Sequence, residues 1–215
     1  MSYIAERKVE EKERRRSEIL DAAERLYADK GWDAVTMDQV ARTARLSRAL
    51  LYVYFRDKEE LLYGIGVRAL AMLRERFLAA VATSPRGADQ VQAIGRAYMA
   101  YATDLPHCFD ACARFQAHSM SPDPGSNEGA CAIAGDAAMS VLVGAIGVGF
   151  ADGSIRRDIG EPMMLAVSLW AFTHGVIQLA MAKGDDLARM QVDVGTWGEY
   201  ALGLLTMMTS PPKVP

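Results

Sequence analysis

The chain has 215 residues, of which 51% are hydrophobic and 24% charged, and its formal net charge is −3. This composition is typical of a globular protein with a sizeable core. The charge excludes DNA binding through overall basicity, because even residues 1–62 hold 13 basic and 13 acidic side chains. Any nucleic-acid interface must therefore depend on where individual basic side chains point.

Three cysteines, Cys108, Cys112 and Cys131, are an odd number in a chain whose first residues lack the apolar core of a signal peptide. A structural disulfide framework is therefore not expected. No apolar run is long enough and free enough of polar residues to span a bilayer, and residues 141–151 come closest. We expect a cytoplasmic protein with no membrane partner.

The first twelve residues are charged and mixed in sign, which indicates either a frayed start or a solvated extension of the first helix. Helix 1 is predicted from about residue 13 to residue 30, with Ile19, Ala22 and Tyr27 on its buried stripe. Gly31 ends it, because glycine adopts a left-handed conformation without steric cost.

Two short helices are predicted next, at residues 37–44 and 48–54. Thr36 can cap the first and Ser47 the second, since each hydroxyl can accept from backbone N–H groups of the first turn. In the second helix, helical spacing relates four apolar residues, Leu50, Leu51, Tyr54 and Phe55. Two helices this short bury little alone, and a pair of them braced by longer helices is the helix-turn-helix pattern.

The remainder also reads as helical, with predicted helices at residues 57–82, 88–105, 107–120, 128–151, 161–183 and 192–208. Pro and Gly mark the breaks between them. No strand pattern and no internal repeat is apparent. The predicted fold class is all-α, with about nine helices.

Residues 47–61 (SRALLYVYFRDKEEL) resemble the recognition helix and following turn of TetR-family transcriptional regulators. The approach to them also matches, with Arg16, Leu26, Gly31 and Thr36 in the family's order, so the resemblance covers residues 14–62. It implies a three-helix DNA-binding domain at residues 1–62. It also implies a helical ligand-binding and dimerisation domain at residues 63–215.

The resemblance implies that helix 3 enters the major groove of a double-stranded operator, where base edges can be distinguished. Arg48 is the best candidate for a base, with Ala49, Leu50 and Val53 beside it, although Leu50 could instead pack inward. In the family, the positions that match Thr36, Tyr52 and Lys58 commonly hold phosphate oxygens, so the resemblance implies phosphate contacts there. The predicted DNA-binding set is Thr36, Arg45, Ser47, Arg48, Ala49, Leu50, Tyr52, Val53 and Lys58.

Two positions depart from the family pattern. Arg45 stands in the turn where the family usually has Gly, so it either adopts a left-handed conformation at a cost of roughly 1 kcal/mol or adds a DNA contact. Val53 stands where the family often has His or Tyr, so a polar contact is missing there.

Residues 63–215 contain no nucleophile motif, phosphate loop or metal-binding histidine pair, so we expect no catalytic site, metal or cofactor. The family's dimers usually join through their last two helices, which here are helices 8 and 9. Their apolar stripes exceed what one thin domain needs to bury. A homodimer is therefore expected, although the same stripes could be internal core. The stripes include Leu165, Leu169, Phe172, Val176, Leu179, Trp197, Tyr200, Ala201, Leu204, Leu205 and Met208.

A cavity for a small hydrophobic effector is expected between helices 4 to 8. His174 and Gln178 are the most informative positions, because a buried polar pair needs partners and a ligand could be one. The predicted lining is Phe77, Tyr98, Tyr101, Phe109, Phe115, His118, Met139, Trp170, His174 and Gln178.

These observations predict a ligand-responsive regulator, most often a repressor in the resembled family. An activator or ligand-independent regulator would use the same fold. A small helical enzyme is disfavoured, since no paired carboxylates or nucleophile–base pair stands out. A redox or metal role for Cys108 and Cys112, one helical turn apart, has no supporting motif spacing.

Overall fold

The computed structural model describes residues 3–115 and 123–212, and within them all regular structure is helical. The structure agrees with the predicted all-α class. The helices are α1 (Tyr3–Lys30), α2 (Met37–Thr43), α3 (Arg48–Tyr54), α4 (Lys58–Val81), α5 (Gly87–Asp104), α6 (Pro106–Arg114), α7 (Asn127–Asp152), α8 (Pro162–Arg189) and α9 (Val194–Thr209).

Helix α1 begins ten residues earlier than the predicted start at residue 13. The charged beginning is therefore a helical extension rather than a frayed segment. Ion pairs at helical spacing support it: the Arg14 guanidinium lies 3.3 Å from Glu11 and 3.5 Å from Glu18. Pairs of this kind stabilise a solvated helix without a buried face.

The chain divides into two compact units, and the division differs from the predicted boundary after residue 62. Unit 1 comprises Met1–Leu70 and Pro106–Ala134, and unit 2 comprises Ala71–Leu105 and Gly135–Pro215. Helix α6 belongs to the first unit because it packs on α1, and buried Ala111 lies in the same core as the helix-turn-helix residues.

The core of unit 1 gathers the apolar face of α1 and the inward sides of α2, α3 and α4. Ile19, Val40, Leu51, Phe55 and Leu61 are completely buried. The predicted stripe of α1 is thus confirmed. This core holds the two short helices, which could not form a stable pair alone.

Unit 2 packs α5 against α8 and α9. One close approach dictates a glycine: a Cβ on Gly87, at the start of α5, would lie 2.0 Å from the backbone nitrogen of Gly149 in α7. No side chain fits there. Helix α8 extends beyond its predicted end at residue 183, but Lys183 itself has non-helical angles (φ −130°, ψ 24°), so a kink marks the predicted position.

Two helices, α7 and α8, are long and apolar enough to cross a membrane by length and composition. This corrects the expectation that no such run exists. Core helices of proteins outside membranes pass the same test. Leu142 and Ile146 of α7, and Leu169 and Ile177 of α8, are buried inside the protein, but only 28% of the apolar window of each helix is buried.

Candidate functional site

Helix α2 begins with a complete capping box. The Gln39 amide N–H donates to Thr36 Oγ1 over 3.3 Å, and the Thr36 N–H donates to Gln39 Oε1 over 3.0 Å. The predicted capping role of Thr36 is confirmed. Thr36 remains exposed, so its hydroxyl proton can still be donated to a phosphate.

The turn between α2 and α3 requires a left-handed residue, and Arg45 supplies it with a φ of 57°. The Leu46 N–H donates to the Ala41 carbonyl over 2.8 Å, and the Arg45 N–H donates to the Arg42 carbonyl over 3.1 Å. These two bonds form a Schellman motif, in which glycine is usual at the Arg45 position. The predicted left-handed conformation is confirmed.

Helix α3 separates an anchoring side from an exposed side. Ser47 caps it by accepting from the Leu50 N–H over 3.2 Å, while Leu51 is fully buried. Tyr54 is half-buried and packs against the same core. The other side chains of the helix face outward, and Leu50, which shares the helical spacing of the apolar side, does not pack inward. The exposed set comprises Arg48, Ala49, Leu50 (38% exposed), Tyr52 (41%) and Val53 (73%). Val53 is the most exposed of the large apolar side chains of α3.

Arg48 lies at the start of α3 and is held from two directions. Its Nε lies 3.2 Å from Asp38 Oδ1, and its Nη2 lies 3.5 Å from the Tyr52 hydroxyl. The guanidinium carbon also lies 5.6 Å from the centre of the Tyr52 ring. The contact with Asp38 could not be predicted from the sequence, because the two residues are ten positions apart and lie on different helices.

Lys58, predicted to contact a phosphate, instead contacts the turn after α1. Its ammonium donates to the Trp32 carbonyl over 2.6 Å and lies 5.0 Å from the centre of the Trp32 ring. Burial lowers the pKa of Lys58. An ammonium has three donors, so this arrangement leaves donor capacity for a phosphate, and the predicted contact stays a prediction.

A polar network joins α6 to α1 and to the turn after α1, within unit 1. The Tyr27 hydroxyl donates to Asp110 over 2.6 Å, and Arg114 donates to Asp110 over 2.8 Å. Arg114 also donates to both carboxylate oxygens of Asp33, over 3.0 and 3.2 Å. Burial, together with the hydrogen bond to Asp110, raises the pKa of the Tyr27 phenol. These contacts had no signal in the sequence.

Five of the predicted effector-binding residues come together in unit 2. The Tyr98 hydroxyl lies 2.8 Å from His174 Nδ1 and accepts from the Trp170 indole N–H over 3.3 Å. Gln178 Nε2 lies 3.4 Å from His174 Nε2. Phe77 packs edge-on against the Tyr98 ring, with the ring centroids 6.1 Å apart. We name Phe77, Tyr98, Trp170, His174 and Gln178 the Tyr98 cluster.

Burial lowers the pKa of His174, so its imidazole is neutral near pH 7. The ring can then donate from one nitrogen and accept at the other. Trp170 and Gln178 are exposed at the edge of the cluster. The cluster therefore offers uncharged hydrogen-bonding groups beside aromatic surface, which suits an apolar molecule with a few polar atoms.

The other predicted lining residues lie elsewhere or have other surroundings. Tyr101 is fully buried, and the Arg76 guanidinium carbon lies 5.3 Å from its ring centre. Phe109 and Phe115 belong to unit 1, where Phe115 packs against Tyr63. Met139, half-buried in α7, belongs to unit 2 with the Tyr98 cluster. His118 lies outside the described residues.

The cysteines form no disulfide. Cys108 is buried, and its Sγ lies 3.3 Å from His107 Nε2. Burial raises the pKa of the Cys131 thiol to about 12. Among residues 3–115 and 123–212, no group of three His, Cys, Asp or Glu side chains is placed to hold a metal ion.

An exposed short helix, set on a rigid core after a capped partner helix, defines a helix-turn-helix DNA-binding regulator. Comparison with known families agrees. Residues 19–64 match the family described as "Bacterial regulatory proteins, tetR family", and residues 91–202 match "Tetracyclin repressor-like, C-terminal domain". The chain therefore belongs to the TetR family of transcriptional regulators.

Individual relatives are similar over different lengths. The HTH-type transcriptional regulator BetI of Rhizobium meliloti (strain 1021) is 40% identical over 82 residues, which are 38% of this chain and 40% of that protein. The chain thus matches well under half the length of that relative. A solved protein of unknown function from Rhodococcus sp. RHA1 has a TM-score of 0.75 at 23% identity and covers 92% of this chain and 96% of its own.

A third similar protein is the fatty acid degradation regulator FadR from Bacillus halodurans. Its structure has a TM-score of 0.67 at 12% identity, covering 89% of this chain and 94% of its own. At sequence identities this low, similarity to a solved structure shows a common fold and nothing about function. The family is one of DNA-binding regulators rather than enzymes, and its members act in the cytoplasm.

Proposed function

We propose that this chain is a dimeric repressor that leaves a palindromic operator when a small hydrophobic molecule binds unit 2. The observation that carries the proposal is the exposed side of α3, where Arg48, Tyr52 and Val53 project from a helix anchored by buried Leu51. Residues 1–62 read the DNA in this proposal, and residues 63–215 bind the effector and the second copy.

The first test concerns DNA reading. A mobility-shift assay on the DNA upstream of the chain's own gene separates a DNA-binding regulator from an enzyme. Arg48→Ala should weaken binding to the operator by about 5- to 150-fold while leaving random DNA little changed, because a guanidinium can bond both acceptors of guanine. An equal loss on operator and random DNA would refute base reading by Arg48.

Helices α8 and α9 carry the proposed dimer interface. Their solvent-facing sides expose an unusual amount of apolar surface, and such patches mark sites of association. The exposed apolar side chains of the two helices include Met163, Met164, Val167, Phe172, Leu179, Met181, Tyr200, Met207 and Met208. A palindromic operator needs two copies of α3 held at a fixed spacing.

Sedimentation of the purified protein tests the dimer. Leu179→Glu should shift the mass from dimer to monomer, since a carboxylate would be buried between the copies. Val9→Glu is the matched control, because Val9 is an exposed apolar residue, 60% exposed, and belongs to α1 in unit 1. A dimer that survives Leu179→Glu would place the interface elsewhere.

The Tyr98 cluster is the proposed polar anchor of the effector. Its neutral His174 and the Tyr98 hydroxyl suit an uncharged polar group on an apolar molecule, such as a hydroxyl or a carbonyl. A panel of hydrophobic alcohols, ketones and acids should be screened for compounds that raise the melting temperature. Active compounds should also release the operator, since a ligand shifts an equilibrium only by its different affinity for the two states.

Tyr98→Phe separates this anchor from general apolar binding. The substitution keeps the ring beside Phe77 and removes the hydroxyl, so effector affinity should fall by about 10-fold while operator binding stays intact. Repressor and activator are then distinguished by a reporter gene behind the operator. Loss of the chain raises expression for a repressor and lowers it for an activator.

A further inference from the structure

We infer that Asp38 is a positioning residue for DNA reading, which holds the Arg48 guanidinium in the orientation that recognises a guanine. The inference rests on the proposed function of α3. It starts from one contact, in which Asp38 Oδ1 lies 3.2 Å from Arg48 Nε. Asp38 belongs to the first turn of α2 and Arg48 to the first turn of α3, so the ion pair bridges the two helices.

The guanidinium atom that Asp38 contacts decides which edge of the guanidinium stays available to a base. Guanine offers two acceptors in the major groove, N7 and O6, and an arginine meets them with two parallel N–H donors. Asp38 lies beside Nε as an ion-pair partner, so the two terminal amino groups form the edge that remains for the base. Arg48 Nη2 lies 3.5 Å from the Tyr52 hydroxyl, a distance long enough for a base to replace this contact.

Holding Arg48 in advance also reduces the loss of freedom on binding. An arginine has many rotamers, and ordering one at an interface opposes association. Arg48 and Asp38 are both exposed, with 64% and 50% of their side-chain surface accessible, so the pair contributes little to folding. Its effect should appear in the DNA complex, where solvent no longer screens it.

The carboxylate has a second effect on specificity. Asp38 is exposed beside the DNA-facing helix, where its negative charge repels phosphates of any sequence. The repulsion weakens binding to random DNA and to the operator alike, and only the operator regains affinity through the oriented Arg48. Discrimination that combines attraction for one partner with repulsion of others is common at specific interfaces.

The test measures affinity of the full-length protein for two duplexes by fluorescence anisotropy. One is the operator fragment defined by footprinting, and the other is a scrambled duplex of equal composition. Asp38→Ala should lower the ratio of operator to scrambled affinity by about 3- to 10-fold, with affinity for the scrambled duplex unchanged or higher. Asp38→Asn, which keeps an acceptor without the charge, should lie between the wild type and Asp38→Ala.

A double-mutant cycle identifies the route of the effect. In the Arg48→Ala background, Asp38→Ala should cause no further fall in the ratio, since residues that act through one contact are not additive. Asp29→Ala, which removes an exposed carboxylate of α1, controls for charge alone and should leave the ratio unchanged. Melting temperatures of all variants show that each is folded.

Three outcomes would overturn the inference. An Asp38→Ala variant that weakens both duplexes equally and melts earlier has lost a helix-terminal stabiliser rather than a positioning group. Additive effects in the cycle would show that Asp38 acts independently of Arg48. If Arg48→Ala alone leaves the ratio unchanged, base reading by Arg48 fails as well, and the proposed role of α3 falls with it.

Discussion

Arg45 offers a test in which conformation and charge can be separated. The residue occupies the left-handed position of a Schellman motif at the end of α2, with a φ of 57°. Any L-residue with a Cβ is strained there, and glycine is not. Replacing Arg45 with Gly should therefore stabilise the protein, even though it removes a side chain.

The size of the effect follows from two opposing contributions. A left-handed conformation costs an L-residue about 1–2 kcal/mol, and this cost disappears with glycine. Glycine in turn raises the conformational freedom of the unfolded chain, which opposes folding by about 0.5–1 kcal/mol. The net gain is about 0.5–1 kcal/mol, equivalent to a rise of roughly 1–4 °C in melting temperature for a chain of this size.

Urea denaturation of three variants, Arg45→Gly, Arg45→Ala and Gln191→Gly, measures this gain in stability. Arg45→Ala keeps the strain and removes the charge, so it should be no more stable than the wild type. Gln191→Gly repeats the test at the end of α8, where Gln191 has a φ of 61° and the Val192 N–H donates to the Leu187 carbonyl over 2.9 Å. If Arg45→Gly proves no more stable than Arg45→Ala, the argument from strain is refuted.

The same variants report on DNA. If Arg45 contacts a phosphate, both Arg45→Gly and Arg45→Ala should reduce the slope of log affinity against log salt by about 0.9. A slope unchanged in both variants would show that Arg45 serves the turn alone.

Three further predictions concern other parts of the chain. Gly87→Ala should destabilise the protein by about 3 kcal/mol, because the added Cβ would overlap the α7 backbone. Gly144→Ala, where a Cβ would meet open space, should stabilise the protein by about 0.5–1 kcal/mol. Urea denaturation compares the two variants. Lys58→Met should lower the unfolding free energy by about 1 kcal/mol through loss of the Trp32 hydrogen bond, and a phosphate role would also reduce the salt slope by about 1. Burial lowers the pKa of His174 in the folded state, so folding favours the neutral imidazole. The free energy of unfolding should therefore fall as the pH drops from about 6.5, the unfolded value, towards the folded pKa. His174→Gln should remove this part of the pH dependence, as measured by denaturation.

Features fixed by neighbours in sequence could be predicted. Thr36 and Ser47 were recognisable as caps because each accepts from an N–H three residues ahead. The strain at Arg45 was equally local, since a short turn between two helices demands a left-handed residue. The exposed side of α3 followed only in part from the same short-range periodicity, because Leu50 shares the spacing of the apolar side and is nevertheless 38% exposed.

Contacts between distant residues could not be predicted in this way. Tyr27 and Asp110 are 83 residues apart, and Arg114 and Asp33 are 81 apart. Each side chain by itself reads as an ordinary polar residue on a helix surface. The network that attaches α6 to the helices of unit 1 therefore appears only once the chain is folded. The predicted boundary after residue 62 took no account of it.

The predicted apolar stripe on α8 shows another limit of prediction from sequence. Periodicity identifies the apolar side of a helix, but not what covers that side. The structure divides the stripe: Leu169 and Val176 are buried within unit 2, whereas Phe172 and Leu179 are 39% and 45% exposed. The first pair belongs to the core of each copy, so truncating Leu169 to Ala should lower stability by about 2–5 kcal/mol irrespective of assembly. The second pair is open to solvent in a single copy, so a charge at Leu179 should act on association and spare the fold. A stability loss for Leu179→Glu as large as that for Leu169→Ala, measured at concentrations where the protein is monomeric, would contradict this division.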